Sequence, residues 1–145
     1  MKKLYILQKV ERSWHICDAP DFEKGEIITA EWYGAEEVGT YFDKETAMRA
    51  LQESKAVWEL DEETRHVNVT QYYLEEWGYN AATDELTDFN DIIAAKKFCF
   101  KLIDDTNRDV TAEFGADKFY KYSEFVKKAA ETNMKIKVEW YTEVE

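Results

Sequence analysis

The sequence predicts an α+β fold, a mainly antiparallel sheet of about six to eight strands with two principal helices packed on it. Three observations carry that expectation. Segments 4–10, 97–103 and 134–144 alternate apolar and polar residues with period two, as half-buried strands do. Segments 44–54 and 117–132 switch to helical spacing. The chain has only 5 Gly and 1 Pro, too few for glycine-cradled phosphate loops or long linkers between separate bodies.

Taken in order, Leu4, Ile6 and Val10 place one strand face, and the short apolar run 14–17 after Glu11 and Arg12 predicts an N-terminal hairpin. Residues 18–21, with the lone Pro20, predict a turn, and 26–33 a strand. Residues 34–37 turn the chain and 38–42 run back. Asp43 predicts an N-cap, with Glu45 in the first turn where the helix dipole favours an acid. The helix from Lys44 to about Ser54 offers Ala47, Met48, Ala50 and Leu51 as its apolar stripe. Residues 55–60 predict a strand and 61–64 a charged turn.

Residues 66–79 are rich in Val, Thr, Tyr and Trp and predict one long strand. Its phase breaks: Val67, Val69, Tyr73 and Trp77 alternate together, whereas Tyr72 and Leu74 fall on the other side. Either both faces are covered or a bulge switches the phase. Residues 80–84 form a loop. Residues 86–95 read equally as a short helix capped by Thr87 or as irregular chain. A hairpin is expected from 97–103 and 110–114 through the polar connection 104–108. The clearest helix is 117–132, stopped by Asn133, and 134–144 is the cleanest strand.

At 145 residues the chain reads as a single α+β domain, 1–145, long enough for its own core. A weak internal echo, ββαβ at 26–60 and again at 97–144, accompanies that reading. The N-terminal apolar run is too short and too interrupted for a signal peptide, and no stretch reaches the ~20 apolar residues of a membrane span. Two cysteines, Cys17 and Cys99, make no disulfide framework. A soluble, cytoplasmic protein is the expectation.

Chemistry-bearing motifs are sparse. His15, Cys17, His66 and Cys99 lack the paired spacing of a zinc site, and 105–116 lacks the glycine and glutamate that complete a calcium loop. No nucleophile elbow, phosphate loop or dinucleotide fingerprint is present. Neighbouring carboxylates such as Glu75 and Glu76 point to opposite faces of a strand and are not spatial pairs. No metal, no cofactor and no catalytic residue is expected, and the chain is not read as an enzyme.

Charge is the distinctive signal. The formal net charge is −12. Residues 59–95 hold ten acids and one base (−9), against −3 for 1–58 and zero for 96–145. Residues 67–91 hold six acids and five aromatics with no Lys or Arg. Such a field repels nucleic acid and anionic membranes and attracts basic surfaces. The function expected is that of an acidic protein-binding module occupying a basic site on a partner protein. A nucleic-acid-mimicking inhibitor of the phage or mobile-element counter-defence kind, or a toxin-immunity protein, has that chemistry. The partner-binding set is Glu59, Asp61, Glu62, Glu63, Tyr72, Glu75, Glu76, Trp77, Tyr79, Asp84, Glu85, Asp88 and Asp91. In it the acids steer association and the aromatics anchor it. The alternatives are a small ligand-binding domain or enzyme with an aromatic-lined pocket, and an accessory domain whose acidity serves solubility. An exposed edge on the 66–79 strand would also permit a homodimer.

Overall fold

The computed structural model describes residues 2–15 and 35–144, with the side chains at 14 and 88–90 outside that description. The turn expected at 18–21 and the strand expected at 26–33 lie outside the described residues, as does Cys17. The fold is α+β, an antiparallel sheet with two helices. Six strands are described: β1 (Lys2–His15), β2 (Glu36–Tyr41), β3 (Val57–Asp61), β4 (His66–Asn80), β5 (Glu85–Ile103) and β6 (Lys135–Val144). The helices are α1 (Lys44–Glu53) and α2 (Tyr122–Thr132), with a 3-10 turn at Ala116–Lys118. The chain divides into two compact units, one of residues 1–17, 27–96 and 142–145, the other of 18–26 and 97–141.

In the first unit β4 is the strand on which the others assemble. β1 pairs with it residue for residue, from Lys2 opposite Tyr79 to His15 opposite His66. This removes the expected N-terminal hairpin. The unbroken β4 offers a partner along the whole of β1, so Glu11 and Arg12 sit in mid-strand with exposed side chains. β2 pairs with the other edge of β1. The far edge of β4 is shared: β3 takes Thr70 to His66, and β5 takes Tyr73 to Asn80. Residues 86–95 are therefore strand, with no helix capped by Thr87, because β4 supplies the ladder that local sequence could not reveal.

Where β3 and β5 meet on that edge, side chains fix the junction. Gln71 donates from Nε2 to the Lys96 carbonyl at 2.9 Å, and it is fully buried. Lys96 Nζ in turn donates to the Gln52 carbonyl at 2.8 Å and to the Ser54 carbonyl. Helix α1 has no basic residue in its own last turn. Lys96 brings a cation from β5 to the carbonyls that the helix end leaves unpaired. Partial burial holds its pKa below the usual lysine range.

The N-terminus of α1 follows its sequence signal. Asp43 Oδ2 accepts from the Thr46 backbone N–H (3.0 Å) and hydroxyl (2.7 Å). The helix lays Ala47 and Leu51, both with no exposed surface, onto Tyr5, Leu7, Leu74 and Ala94. Tyr72, predicted at the partner surface, packs against this cluster instead.

The other side of β1 and β4 is buried as well. Leu4, Ile6, Val10, Val67, Val69 and Tyr73 are each at most 5% exposed. Both faces are thus covered, and Tyr73, Leu74 and Glu75 are buried in succession. The β4–β5 register also shifts between Leu74 and Glu75. That shift skips Ile93 on β5, while β4 pairs with β1 without a shift, so coverage of both faces, and not a bulge in β4, accounts for the broken alternation.

In the second unit Phe98, Phe100 and Leu102 of β5 are buried, as is Phe125 of α2. Phe100 and Phe125 rings stand 5.6 Å apart, and Phe98 meets Trp140 of β6 edge to face at 5.6 Å. The expected return strand at 110–114 is replaced by turns, leaving one isolated bridge, Ile103 to Asp109. Side chains take the backbone groups that a ladder would have used. Asp104 Oδ1 accepts from the N–H of Thr106 and of Arg108, both at 2.9 Å, and Asp109 Oδ1 from that of Thr111 at 2.9 Å. The helix expected over 117–132 breaks after the 3-10 turn. Glu124 Oε2 accepts from the Tyr120 and Lys121 N–H groups, capping α2 from within its first turn. Asn133 ends α2 in the left-handed conformation, φ 58°.

Candidate functional site at the β4–β5 hairpin

The thirteen residues expected at a partner surface do not converge. β4 is one extended strand of 15 residues, about 46 Å from end to end at the usual rise. The turns that hold most of the acids lie at its opposite ends. Glu59, Asp61, Glu62 and Glu63 belong to β3 and the turn that enters β4. Asp84, Glu85, Asp88 and Asp91 belong to the turn and strand that leave it, and the Asp88 side chain is outside the described set.

At the entering turn, Asp61 Oδ1 accepts from the Glu63 and Thr64 N–H groups at 3.0 and 3.3 Å. That carboxylate closes a turn, and Arg65 follows with φ 59°. Asp61, His66 and His15 occupy one cross-strand row, with the two imidazoles edge to face at 5.3 Å. Among the described residues no group of three His, Cys, Asp or Glu side chains is placed to hold a metal.

Mid-strand, Glu75 is only 9% exposed and accepts from Gln8 Nε2 at 2.7 Å. It serves the interior, not the surface. Trp77 is half-buried, and its Nε1, like Gln8 Oε1, is buried with no hydrogen-bond partner among the described residues.

The leaving end is where acid and aromatic groups do meet. Tyr79 donates its hydroxyl to Asp84 Oδ1 across the hairpin, which holds the phenol pKa above its usual value. Asp84 itself has φ 54°, and Asn80 Oδ1 accepts from the Ala82 N–H at 3.1 Å, so the turn is fixed by its own side chains. The Tyr79 ring packs against Phe42 at 5.5 Å. Phe42 is 64% exposed, and Leu86, the cross-strand neighbour of Tyr79, is 42% exposed. Glu76 lies directly opposite Asp91. Opposed like charges on a sheet are repulsive. Glu76 has a cation on its other side: Lys3 Nζ is 3.1 Å away. Tyr5, opposite Glu76, has its pKa raised first by burial and then by that carboxylate.

Phe42 and Leu86 were not legible as site residues. Phe42 ends a strand and precedes a cap, and nothing in an alternation pattern marks such a side chain as exposed. What the arrangement offers is a carboxylate-rich surface with an apolar anchor.

No family model, curated protein or solved structure matches the chain. No helix among the described residues is long and apolar enough to cross a membrane.

Proposed function

We propose that the chain is a non-enzymatic binding module whose β4–β5 hairpin end docks on a basic site of a partner protein. The observation that carries this reading is the opposed pair Glu76 and Asp91, of which Glu76 is paired with Lys3, beside the exposed Phe42 and the half-buried Tyr79. A cationic partner relieves that repulsion, and the two rings give it apolar area to bury. Asp84 and Glu85 extend the same negative field along the hairpin. The chemistry is that of an inhibitor mimicking nucleic acid, or of an immunity protein covering a toxin's basic active site. The interface is narrower than the sequence suggests: Glu75 and Tyr72 face the interior, and the acids of 59–63 occupy the other end of β4.

The test is recovery of partners from the native host with the unaltered chain and with a Phe42→Ala/Asp91→Lys variant, followed by kinetics on any partner lost by the variant. Association should slow as salt rises from about 50 to about 300 mM, where the screening length falls from about 14 to about 6 Å. A partner retained fully by the variant, or bound at a salt-independent rate, would refute the assignment.

A further inference from the structure

The second unit holds a cavity of about 430 Å³ between β5, the irregular segment 109–119 and α2. That volume is in the range of small-molecule sites. Its inner wall is aromatic. Phe100 and Phe125 are 3% and 2% exposed and Ala116 is fully buried, so this wall is held by the core of the unit. Phe119 meets Phe125 edge to face at 5.5 Å and closes one side. Gly115, in the left-handed conformation at φ 71°, turns the chain into the 3-10 segment that carries Asp117 to the rim.

The rim has three carboxylates, Asp109, Glu113 and Asp117, and one ammonium, Lys101. Lys101 is committed, 2.9 Å from Glu139 and 3.7 Å from Asp109. Glu113 is held by Arg108 at 2.8 Å. Asp117 has no ion-pair partner among the described residues, and it is exposed. The lining is thus an aromatic inner wall under a net negative mouth. An anionic ligand would meet that field unfavourably, and a purely apolar one would leave Asp117 uncompensated. A flat cation on an aliphatic stem satisfies both parts, its stem on the rings and its charge at the mouth.

We propose that this cavity receives an alkylguanidinium group, either the side chain of an arginine in a basic peptide or a free small molecule of the same chemistry. Guanidinium is preferred to ammonium because it donates two parallel hydrogen bonds to a carboxylate from a rigid fork. The inference does not rest on the reading of the hairpin surface.

Cys99 lines the cavity and is partly exposed, which provides a direct readout. In a Cys17→Ser chain it is the one thiol, and its rate of modification by a disulfide reagent reports occupancy. N-acetylarginine amide at about 1 mM, the weak end of specific binding, should slow that rate saturably, whereas the neutral isostere N-acetylcitrulline amide should not. Asp117→Asn, at an exposed position that does not threaten folding, should weaken protection about two- to fivefold, the range of a solvent-accessible charge contact. Ala112→Trp, at the exposed rim, should fill the space and abolish protection. An arginine peptide protecting at lower concentration than agmatine assigns the source to a protein, and the reverse order assigns it to a small molecule. Absence of protection by every guanidinium probe, or equal protection by the citrulline amide, overturns the proposal.

Discussion

The hydrogen bond between Gln8 and Glu75 decides whether Glu75 belongs to the interior or to the partner surface, and a double-mutant cycle measures it. Both residues are at least nine-tenths buried, and they are joined at 2.7 Å. Glu75→Ala leaves Gln8 Nε2 without its acceptor, beside an Oε1 that already has no partner among the described residues. A stranded buried polar group costs about 1–3 kcal/mol, and the methylenes lost from each side chain add to it. Gln8→Ala takes from Glu75 the donor it accepts from at 2.7 Å. The double variant removes both ends at once, so its loss should fall short of the sum of the singles by about 1–2 kcal/mol. Glu75→Gln keeps an oxygen facing Gln8 and should cost the least. Urea unfolding followed by tryptophan emission gives the four free energies. In thermal melts each kcal/mol appears as roughly 3–4 °C for a chain of this size. Lys3→Ala, which removes the exposed partner of the ion pair with Glu76, is the surface control and should leave the midpoint nearly unchanged. Additivity within about 0.3–0.5 kcal/mol would refute the pairing and return Glu75 to the surface.

Three further perturbations test the scaffold. Leu51→Ala empties the fully buried contact between α1 and the sheet and should cost about 2–5 kcal/mol by urea unfolding, with loss of helical circular dichroism preceding loss of strand signal. Lys96→Met keeps the aliphatic stem but removes the donor to the Gln52 and Ser54 carbonyls, and should cost about 1–2 kcal/mol, with faster amide exchange in the last turn of α1. Acid should weaken the fold through Asp43, Asp104, Asp109 and Glu139. Hydrogen bonds hold all four below the usual carboxylate range, from Thr46, Thr106, Thr111 and Lys101 respectively. A carboxyl with a lower pKa folded than unfolded contributes fully above about pH 4 and loses that contribution as pH falls towards its folded value. The melting temperature should therefore drop between about pH 4 and 2, and Asp104→Ala should flatten that drop.

What could be read in advance followed local physics. Asp43 caps because a short acceptor before a helical stripe has one efficient use, and Asn133 stops α2 because few residues accept positive φ. β6 alternates because one of its faces is the more exposed. The failures share a cause in pairing across the chain. Glu11 and Arg12 look like a turn until β4 offers partners on either side of them. Residues 86–95 carry no strand alternation, because β5 is positioned by β4 and by the Gln71 bond to Lys96, not by its own pattern. Segment 110–114 looks like a strand, but Asp104 and Asp109 spend the neighbouring backbone donors on turns. The acids of 59–91 were legible by number and not by place, since one-dimensional density cannot say which end of a strand a turn occupies.

That distinction changes what the charge does. Had the acids gathered on one face, repulsion among them would have loaded a single surface. Spread along β4, each is absorbed differently: Asp61 into a turn, Glu75 into the interior, Glu76 into a pair with Lys3, and Asp84 onto Tyr79. The local remedies run out at the hairpin end, where Asp91 opposes Glu76 and the ion pair with Lys3 is made by Glu76. Repulsion that the fold leaves uncompensated is free energy available to a cationic partner. Phe42, exposed although it follows a strand and precedes a helix cap, stands against Tyr79, whose hydroxyl binds Asp84. In the proposed docking, charge that attracts and apolar area that holds are thus supplied by one hairpin and the residue packed on it, without the acids at the other end of β4.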